Sequence, residues 1–238
     1  MVINMEQKQP VSGFYDRLQA LVDISKESGR FERKIPLRNG QSFFIKNQLL
    51  LRGFSPVFSQ RKITSIYYDT DDLLFARQNI NGENLRIKPR IRFYDDKVNS
   101  TVLELKFKKN YIGYKKIYSF KKTNNFKMIN TDFINNFSDF AGDILNLKLY
   151  PASVISYVRS YYKLGNIRTT QDENIKVSRI FNNFQNYKNF SPLNLEVVEF
   201  KYKQNQDVFF RKNFNNFFLR AIRANKCSKY IHSIINFI

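Results

Sequence analysis

Four cations stand at every second position of Arg86-Ile87-Lys88-Pro89-Arg90-Ile91-Arg92-Phe93-Tyr94, at 86, 88, 90 and 92. The positions between them, 87, 89, 91 and 93, are apolar or proline. A strand sends alternate side chains to opposite faces, so this stretch sets its cations in one row of roughly 20 Å, at about 3.3 Å per residue. Like charges directly opposed in a sheet repel by roughly 0.2–1 kcal/mol per pair. The row is easiest to account for when a polyanion lies along it, while the apolar face packs on a core.

The same alternation recurs. Glu104, Lys106 and Lys108 share a face of Thr101 to Lys108, and Lys115 and Lys116 follow Gly113 in the next segment. Arg30, Glu32 and Lys34 share a face, as do Tyr157, Arg159 and Tyr161, and again Leu195, Val197, Glu199 and Lys201. A sheet closed on itself has one outward and one inward face. If the charged faces point inward, they line a tunnel suited to a chain of phosphates, with Arg giving forked donors and Lys point charges. Phosphate alone would repel Glu32, Glu104 and Glu199. They make sense as oxygen ligands of a divalent cation, Mg²⁺ or Mn²⁺, that bridges to the phosphates. Phosphoryl transfer needs little more than such positioning and neutralisation of charge. A plainer reading makes Glu199 the salt-bridge partner of Lys201 or of a tunnel arginine, and Glu32 and Glu104 charge-balancing residues.

The elements that must hold these residues follow from pattern. Phe14 to Lys26 has apolar residues at helical spacing and is broken by Gly29. Residues 30–37 are a short strand, and 40–51 a helix ending near Gly53. Residues 62–70, rich in β-branched and aromatic side chains, are a strand. Leu73 to Asn79 is a short helix, Asn81-Gly82 a turn, and 85–94 the basic strand. Strands at 101–108 and 112–120 complete an antiparallel meander. Residues 124–147 hold one or two helices. Strands are expected at 151–164, at 167–170 and 176–181 around a turn at Asp172-Glu173-Asn174, and at 193–202, followed by a helix at 209–224. No repeat of 20–50 residues appears. The fold class is α+β: an antiparallel β-barrel tunnel of about eight strands with flanking helices. Residues 1–29 form an N-terminal tail and helix, and 30–238 the tunnel domain.

Composition narrows the partners. The chain has 238 residues, is 42% hydrophobic, and carries 40 Lys+Arg against 20 Asp+Glu, a net charge of +20. That balance favours anionic partners. The single cysteine, Cys227, allows no internal disulfide and fits a reducing, cytoplasmic setting. The single histidine, His232, argues against His-based catalysis or a His-ligated metal. There is no apolar run of about 18 residues to span a membrane, and Met1 to Pro10 lacks the layout of a signal peptide. No nucleic-acid motif with aromatic stacking positions is present, so nucleic acid is not the expected partner.

Taken in order, these segments resemble the VTC (vacuolar transporter chaperone) polyphosphate polymerase domain, of the triphosphate tunnel metalloenzyme, or CYTH-like, superfamily. The pieces are Arg-Phe-Glu-Arg-Lys at 30–34, Ser65-Ile66-Tyr67-Tyr68-Asp69-Thr70, the alternating cations 86–92 with Tyr94, and Leu103-Glu104-Leu105-Lys106. Then come Tyr157-x-Arg159-x-Tyr161, Asp172 after Arg168, Glu196-x-x-Glu199-x-Lys201, and Lys226-Cys227-Ser228-Lys229-Tyr230. The resemblance spans residues 30–232. It implies a barrel that binds ATP or polyphosphate with Mn²⁺ or Mg²⁺ and moves the terminal phosphate of ATP onto a growing polyphosphate chain. It implies phosphate contacts from Lys34, Arg90, Arg92, Lys106, Lys115 or Lys116, Arg159, Lys226, Ser228 and Lys229, joined by Arg86, Lys88 and Lys201. It makes Glu199 the leading metal ligand and sets Tyr157 in the tunnel wall. Arg30 stands where many tunnel enzymes carry the first Glu of Glu-x-Glu-x-Lys, which favours the polymerase branch over a two-carboxylate strand. Membrane or second-subunit parts found in fuller polymerases would be supplied in trans. The alternatives are a tunnel-fold hydrolase of inorganic, nucleoside or RNA 5′-triphosphate, and a polyanion-binding protein without turnover. Pro89 inside the basic strand requires either a bulge or an absent neighbour.

Overall fold

Alternation of apolar and charged residues produces the strands, and helices cover the apolar faces. The computed structural model describes residues 13–24, 30–110, 112–119, 129–179, 189–218 and 227–235. In chain order the elements are α1 (Phe14–Ile24), β1 (Arg30–Leu37), α2 (Gln41–Leu51), β2 (Ser55–Asp69), α3 (Leu74–Asn81), β3 (Leu85–Tyr94), β4 (Lys97–Lys109) and β5 (Ile112–Ser119). They continue with α4 (Thr131–Leu145), β6 (Tyr150–Leu164), β7 (Ile167–Arg179), β8 (Ser191–Pro192), β9 (Glu196–Tyr202), α5 (Asp207–Phe218) and α6 (Lys229–Ile235).

The strands are bonded in the order β6-β2-β3-β4-β5-β1-β9-β7-β8, and β6 also pairs with β7. The sheet therefore closes into an antiparallel ring of eight strands, with β8 appended to β7. The ring is uneven: β5 and β1 meet only at Gly113↔Arg30 and Ile112↔Phe31.

Three apolar clusters fix which face looks inward. Ile87, Ile91 and Phe93 of β3 and Leu103, Leu105 and Phe107 of β4 pack with Phe14, Leu18 and Val22 of α1 and Phe133, Phe137 and Ala141 of α4. Ile35 and Leu37 of β1 and Val198, Phe200 and Tyr202 of β9 pack against α2 and α5. Each buried side chain of this size contributes about 1.5–3 kcal/mol, so the apolar faces are held outward under helices and the charged faces turn in. The third cluster shares strand parity with the charges. Ile63, Tyr67, Ile155, Tyr157 and Val197 gather with Tyr230 and Ile234 of α6, so α6 packs against the inner wall.

Local chemistry explains the departures from expectation. Residues 124–147 hold a single described helix, α4, started by the Asn130 side chain, which accepts from Phe133 N at 2.8 Å. No turn interrupts 167–179. Asn174 takes φ 51 within β7, opposite a register shift between Ser156 and Val158. A bulge absorbs the extra residue and leaves Asp172 in the ladder. The strand expected at 193–202 starts at Glu196, with Ser191–Pro192 as a separate short strand. β2 starts seven residues early because its exposed end pairs with β6. The β2–β3 ladder runs from Ile63↔Tyr94 to Tyr67↔Arg90 and stops. Pro89 lies just beyond it, paired only with β4 at Leu105, so the absent neighbour accounts for the proline. Expected elements at 25–29, 120, 124–128, 180–181 and 219–224 lie outside the described residues.

Candidate functional site

Inside the ring the inward side chains enclose a cavity of about 180 Å³. Ten Lys or Arg side chains line it, against two carboxylates, Glu32 and Glu199. The lining includes Arg86, Lys88, Arg90 and Arg92 from β3, Lys106 and Lys108 from β4, Lys34 from β1, Arg159 and Tyr157 from β6, Lys201 from β9, and Ser228 and Lys229 at the start of α6. Residues far apart in sequence thus converge because strand parity aims them at one axis.

Three ion networks hold the lining. Arg90 donates to Glu104 Oε2 through Nε at 2.8 Å and Nη2 at 2.6 Å, and to the Tyr67 hydroxyl at 2.9 Å. Beside it, Arg92 bonds Ser65 Oγ at 3.2 Å and the Tyr157 hydroxyl at 3.0 Å. Burial works against the Tyr67 phenolate, yet Arg90 and Arg92 outweigh it and draw Tyr67 down to about 8. In the second network Asp172 is fully buried and receives Arg159 Nε at 2.5 Å and Nη2 at 2.7 Å, together with Lys229 Nζ. Both cations also lie over the Tyr157 ring, at 5.2 and 4.8 Å. In the third, Lys106 bonds Glu32 at 2.7 Å, and Glu199 is held by Lys201 at 2.7 Å and Lys34 at 3.4 Å. Burial opposes both charges, but Lys106 holds Glu32 near 2, and Lys201 and Lys34 hold Glu199 well below the usual carboxylate range.

The expected site residues do not all converge. Glu104 lies behind the arginines, its Oε2 taken by Arg90 and its Oε1 3.6 Å from Lys115. Its oxygens are engaged by cations, and it does not line the cavity. Of the neighbours Lys115 and Lys116, only Lys115 turns toward the inner face. Lys116 takes the opposite parity and lies 5.3 Å from the Tyr118 ring, on the α4 side. Lys226 lies outside the described residues.

A family model described as the VTC domain matches residues 29–238. The chain belongs to the VTC domain family. No curated protein sequence matches it. Among solved structures, HpAC1 from Hippeastrum, studied as an adenylyl cyclase and found to have a dominant triphosphatase activity, is 14% identical with a TM-score of 0.52, covering 87% of this chain and 96% of that one. The PH1012 protein from Pyrococcus horikoshii OT3 is 11% identical with a TM-score of 0.50, covering 86% and 99%. These likenesses show a shared fold.

Which residues of this VTC domain could hold a metal is tested by what its carboxylates lack. Glu199 Oε1 is buried and accepts no hydrogen bond, although Lys34 Nζ stands 3.4 Å from it. Glu32 sits diagonally across the β1–β9 ladder, where Glu32 pairs with Lys201 and Lys34 with Glu199. Gly113 makes room for it, since a Cβ there would meet the Glu32 carboxyl carbon at 3.3 Å. No group of three or more His, Cys, Asp or Glu at metal-binding spacing occurs among the described residues. Two carboxylates facing one cavity fit a hard cation whose other ligands are water and phosphate oxygens, once Lys34 and Lys106 turn from them to phosphate. His232 and Cys227 add nothing to that donor set.

Sequence pattern set Lys108 on the charged face without a site role, and gave none to Tyr67 or to the anchoring carboxylates Asp172 and Asp69. Asp69 accepts from Phe75 N at 2.8 Å, Ala76 N at 2.9 Å and the Tyr230 hydroxyl, tying α3 and α6 to β2. Burial raises its carboxyl to about 6 against those bonds. Tyr67 was findable by parity, because it shares the face of Ser65, which pairs with the inward Arg92. Asp172 resembled a turn residue, and only its buried partners distinguish it.

Proposed function

We propose that this VTC domain binds ATP and polyphosphate in its basic tunnel, together with Mn²⁺ or Mg²⁺, and transfers the terminal phosphoryl group of ATP to a polyphosphate chain. The observation that carries the reading is the excess of inward cations, ten against two carboxylates in an enclosed cavity. A linear chain of phosphates satisfies such a lining, and a duplex nucleic acid does not fit inside the ring. The family supports synthesis of polyphosphate in particular. In this reading Arg90, Arg92, Lys106, Arg159 and Lys229 position the reacting phosphates and neutralise their charge. Lys34, Lys201, Ser228 and Tyr157 complete the wall, and Glu199 with Glu32 holds the divalent ion. A bound divalent ion would supply further neutralisation of the phosphate oxygens. A terminal phosphate oxygen of the acceptor chain attacks the γ-phosphorus. The bond from that phosphorus to the β–γ bridging oxygen breaks, and ADP leaves with the electron pair.

The triphosphatase activity of HpAC1 favours a second reading, in which water replaces the acceptor chain. The test is to incubate the protein with ATP and Mn²⁺ or Mg²⁺ and resolve the phosphate products. Polymer with ADP is expected. Orthophosphate without polymer would establish the hydrolase instead, and unchanged ATP across both metals would overturn turnover altogether. Arg90→Ala should cost at least tenfold in rate by loss of a charge-assisted contact. Glu199→Gln should raise the metal concentration needed for half-maximal rate.

A further inference from the structure

Helix α2 lacks the polar outer face of an ordinary surface helix. Ser42, Ile45 and Leu49 turn to the core. At about 3.6 residues per turn, the opposite face is made by Phe43, Phe44, Asn47, Leu50 and Leu51. Its four apolar side chains are 69, 57, 42 and 78% exposed. A helix that is apolar all round is normally covered on both sides, and a contiguous exposed apolar strip marks an interaction surface. Helix α5 packs on the same outer face of β1 and β9. Phe54, just after α2, meets Phe214 of α5 at 5.8 Å, and Phe210 and Phe214 are buried. On the opposite side of α5, Val208 and Phe209 are 79 and 53% exposed.

The charges around this strip are mostly of one sign. Helix α2 holds no acidic residue, and Lys46 is exposed on its edge, one turn from both Phe43 and Leu50. Arg211 and Lys212 are exposed on α5. Asp207, the acid of α5, is largely buried and engaged by Arg33 and Arg211. A second copy of the chain would bring the same cations and a net charge of +20 against this face, which opposes self-association. An anionic membrane surface meets both features, with headgroup charge for the cations and an acyl boundary for Phe and Leu. At these exposures the apolar side chains project instead of lining a cleft, which suits a planar partner better than a bound peptide. Among the described residues no helix is long and apolar enough to cross a membrane, so the contact is interfacial.

We propose that α2 and the first turns of α5 form a docking surface for an anionic membrane. Phe43, Phe44, Leu50, Leu51, Val208 and Phe209 enter the boundary between headgroups and acyl chains, while Lys46, Arg211 and Lys212 meet lipid phosphates. The surface lies outside the ring and shares no residue with the cavity lining, so the inference stands apart from the chemistry of the tunnel.

The test is co-sedimentation of wild type and of a Phe43→Ser/Leu51→Ser variant with vesicles of phosphatidylcholine alone and of phosphatidylcholine with phosphatidylserine. Both positions are exposed, so the variant should melt at the same temperature as wild type. A chain this basic adsorbs to any anionic surface at low salt. The deciding measurement is therefore made at about 0.5 M salt, where the Debye length falls to roughly 4 Å. There wild type should bind the phosphatidylserine vesicles at least tenfold more tightly than the variant. Equal retention of the two proteins leaves charge adsorption only and overturns the docking surface. At physiological salt, Lys46→Glu/Lys212→Glu should weaken binding more than Lys148→Glu/Lys176→Glu, which changes net charge equally elsewhere on the fold; equal losses contradict the proposal. Hydroxyl-radical footprinting of wild type needs no substitution: phosphatidylserine vesicles should protect Phe43, Phe44 and Leu51 and leave the exposed Ile80 and Tyr150 reactive. Uniform protection overturns the proposal, and so do lipid-free dimers that depend on Phe43, which would assign the face to a contact between copies.

Discussion

Replacing Asp172 by Asn tests whether the tunnel's charges are held by buried pairing. Asp172 is fully buried, and its oxygens carry Arg159 at 2.5 and 2.7 Å as well as Lys229. Burial disfavours its charge, but Arg159 and Lys229 overcome that and hold the carboxyl far below its ordinary value. Asn keeps the size and removes the charge, leaving two buried cations facing each other. Breaking a buried pair from one side costs about 3–5 kcal/mol, a fifth or more of a typical stability of about 5–15 kcal/mol. At about 2–4 °C per kcal/mol for a domain of this size, the melting temperature should fall by roughly 6–20 °C. The loss should be partly reversible by ligand, since phosphate oxygens can supply the missing anion. Differential scanning calorimetry at neutral pH, with and without saturating tripolyphosphate, reads both effects. The ligand should raise the variant's melting temperature more than that of wild type. A fall below about 2 °C, or equal ligand-induced rises, would refute the reasoning. Lys229→Met keeps the Arg159–Asp172 pair and should cost much less, which separates charge from packing.

Two further expectations concern pH and the seat of α6. Lys108 and Lys201 are brought to about 8, chiefly by burial, and Tyr67 to about 8 by Arg90 and Arg92 against burial. An unfolded lysine or tyrosine keeps its proton to about 10, so between about 8 and 10 the unfolded chain binds more protons and stability must rise with pH. Thermal melts in phosphate-free buffer should climb through that window, while affinity for polyphosphate declines as the cations discharge; melts that fall there contradict the assignment. Asp69→Asn leaves at least one of the Phe75 and Ala76 amides short of an acceptor, at about 1–3 kcal/mol. It also weakens the Tyr230 bond, so hydrogen exchange across 228–235 should quicken and tripolyphosphate binding weaken severalfold. Unchanged exchange in that segment would mean that α6 is seated by its apolar contacts alone.

Much of the frame was legible from local pattern. The basic strand at 85–94 agrees residue for residue, and the neighbouring strands differ mainly at their ends, because alternation is dictated by backbone geometry that each residue reports by itself. The break expected at Asp172-Glu173-Asn174 misled for an equally local reason: those residue types favour turns. Burial of Asp172 against Arg159, with a bulge at Asn174, overrode the preference. Lys115 and Lys116 are adjacent and chemically alike, so only the placement of β5 in the ring could separate them. Helix α6 carried the site motif around Ser228 and Lys229, yet nothing in its sequence says that it packs on the inner wall.

The sequence by itself determined that a row of cations exists, that its strands have one charged and one apolar face, and that too few carboxylates are present to balance them. Those are properties of composition and of a two-residue period. Only the tertiary structure decided which cations are balanced. Lys106 meets Glu32 across 74 positions, and Lys229 meets Asp172 across 57. Arg86 and Lys88 meet other cations instead. Ion pairing acts over a few ångströms in space, so charge balance is set by strand register and ring closure, and no local pattern contains it.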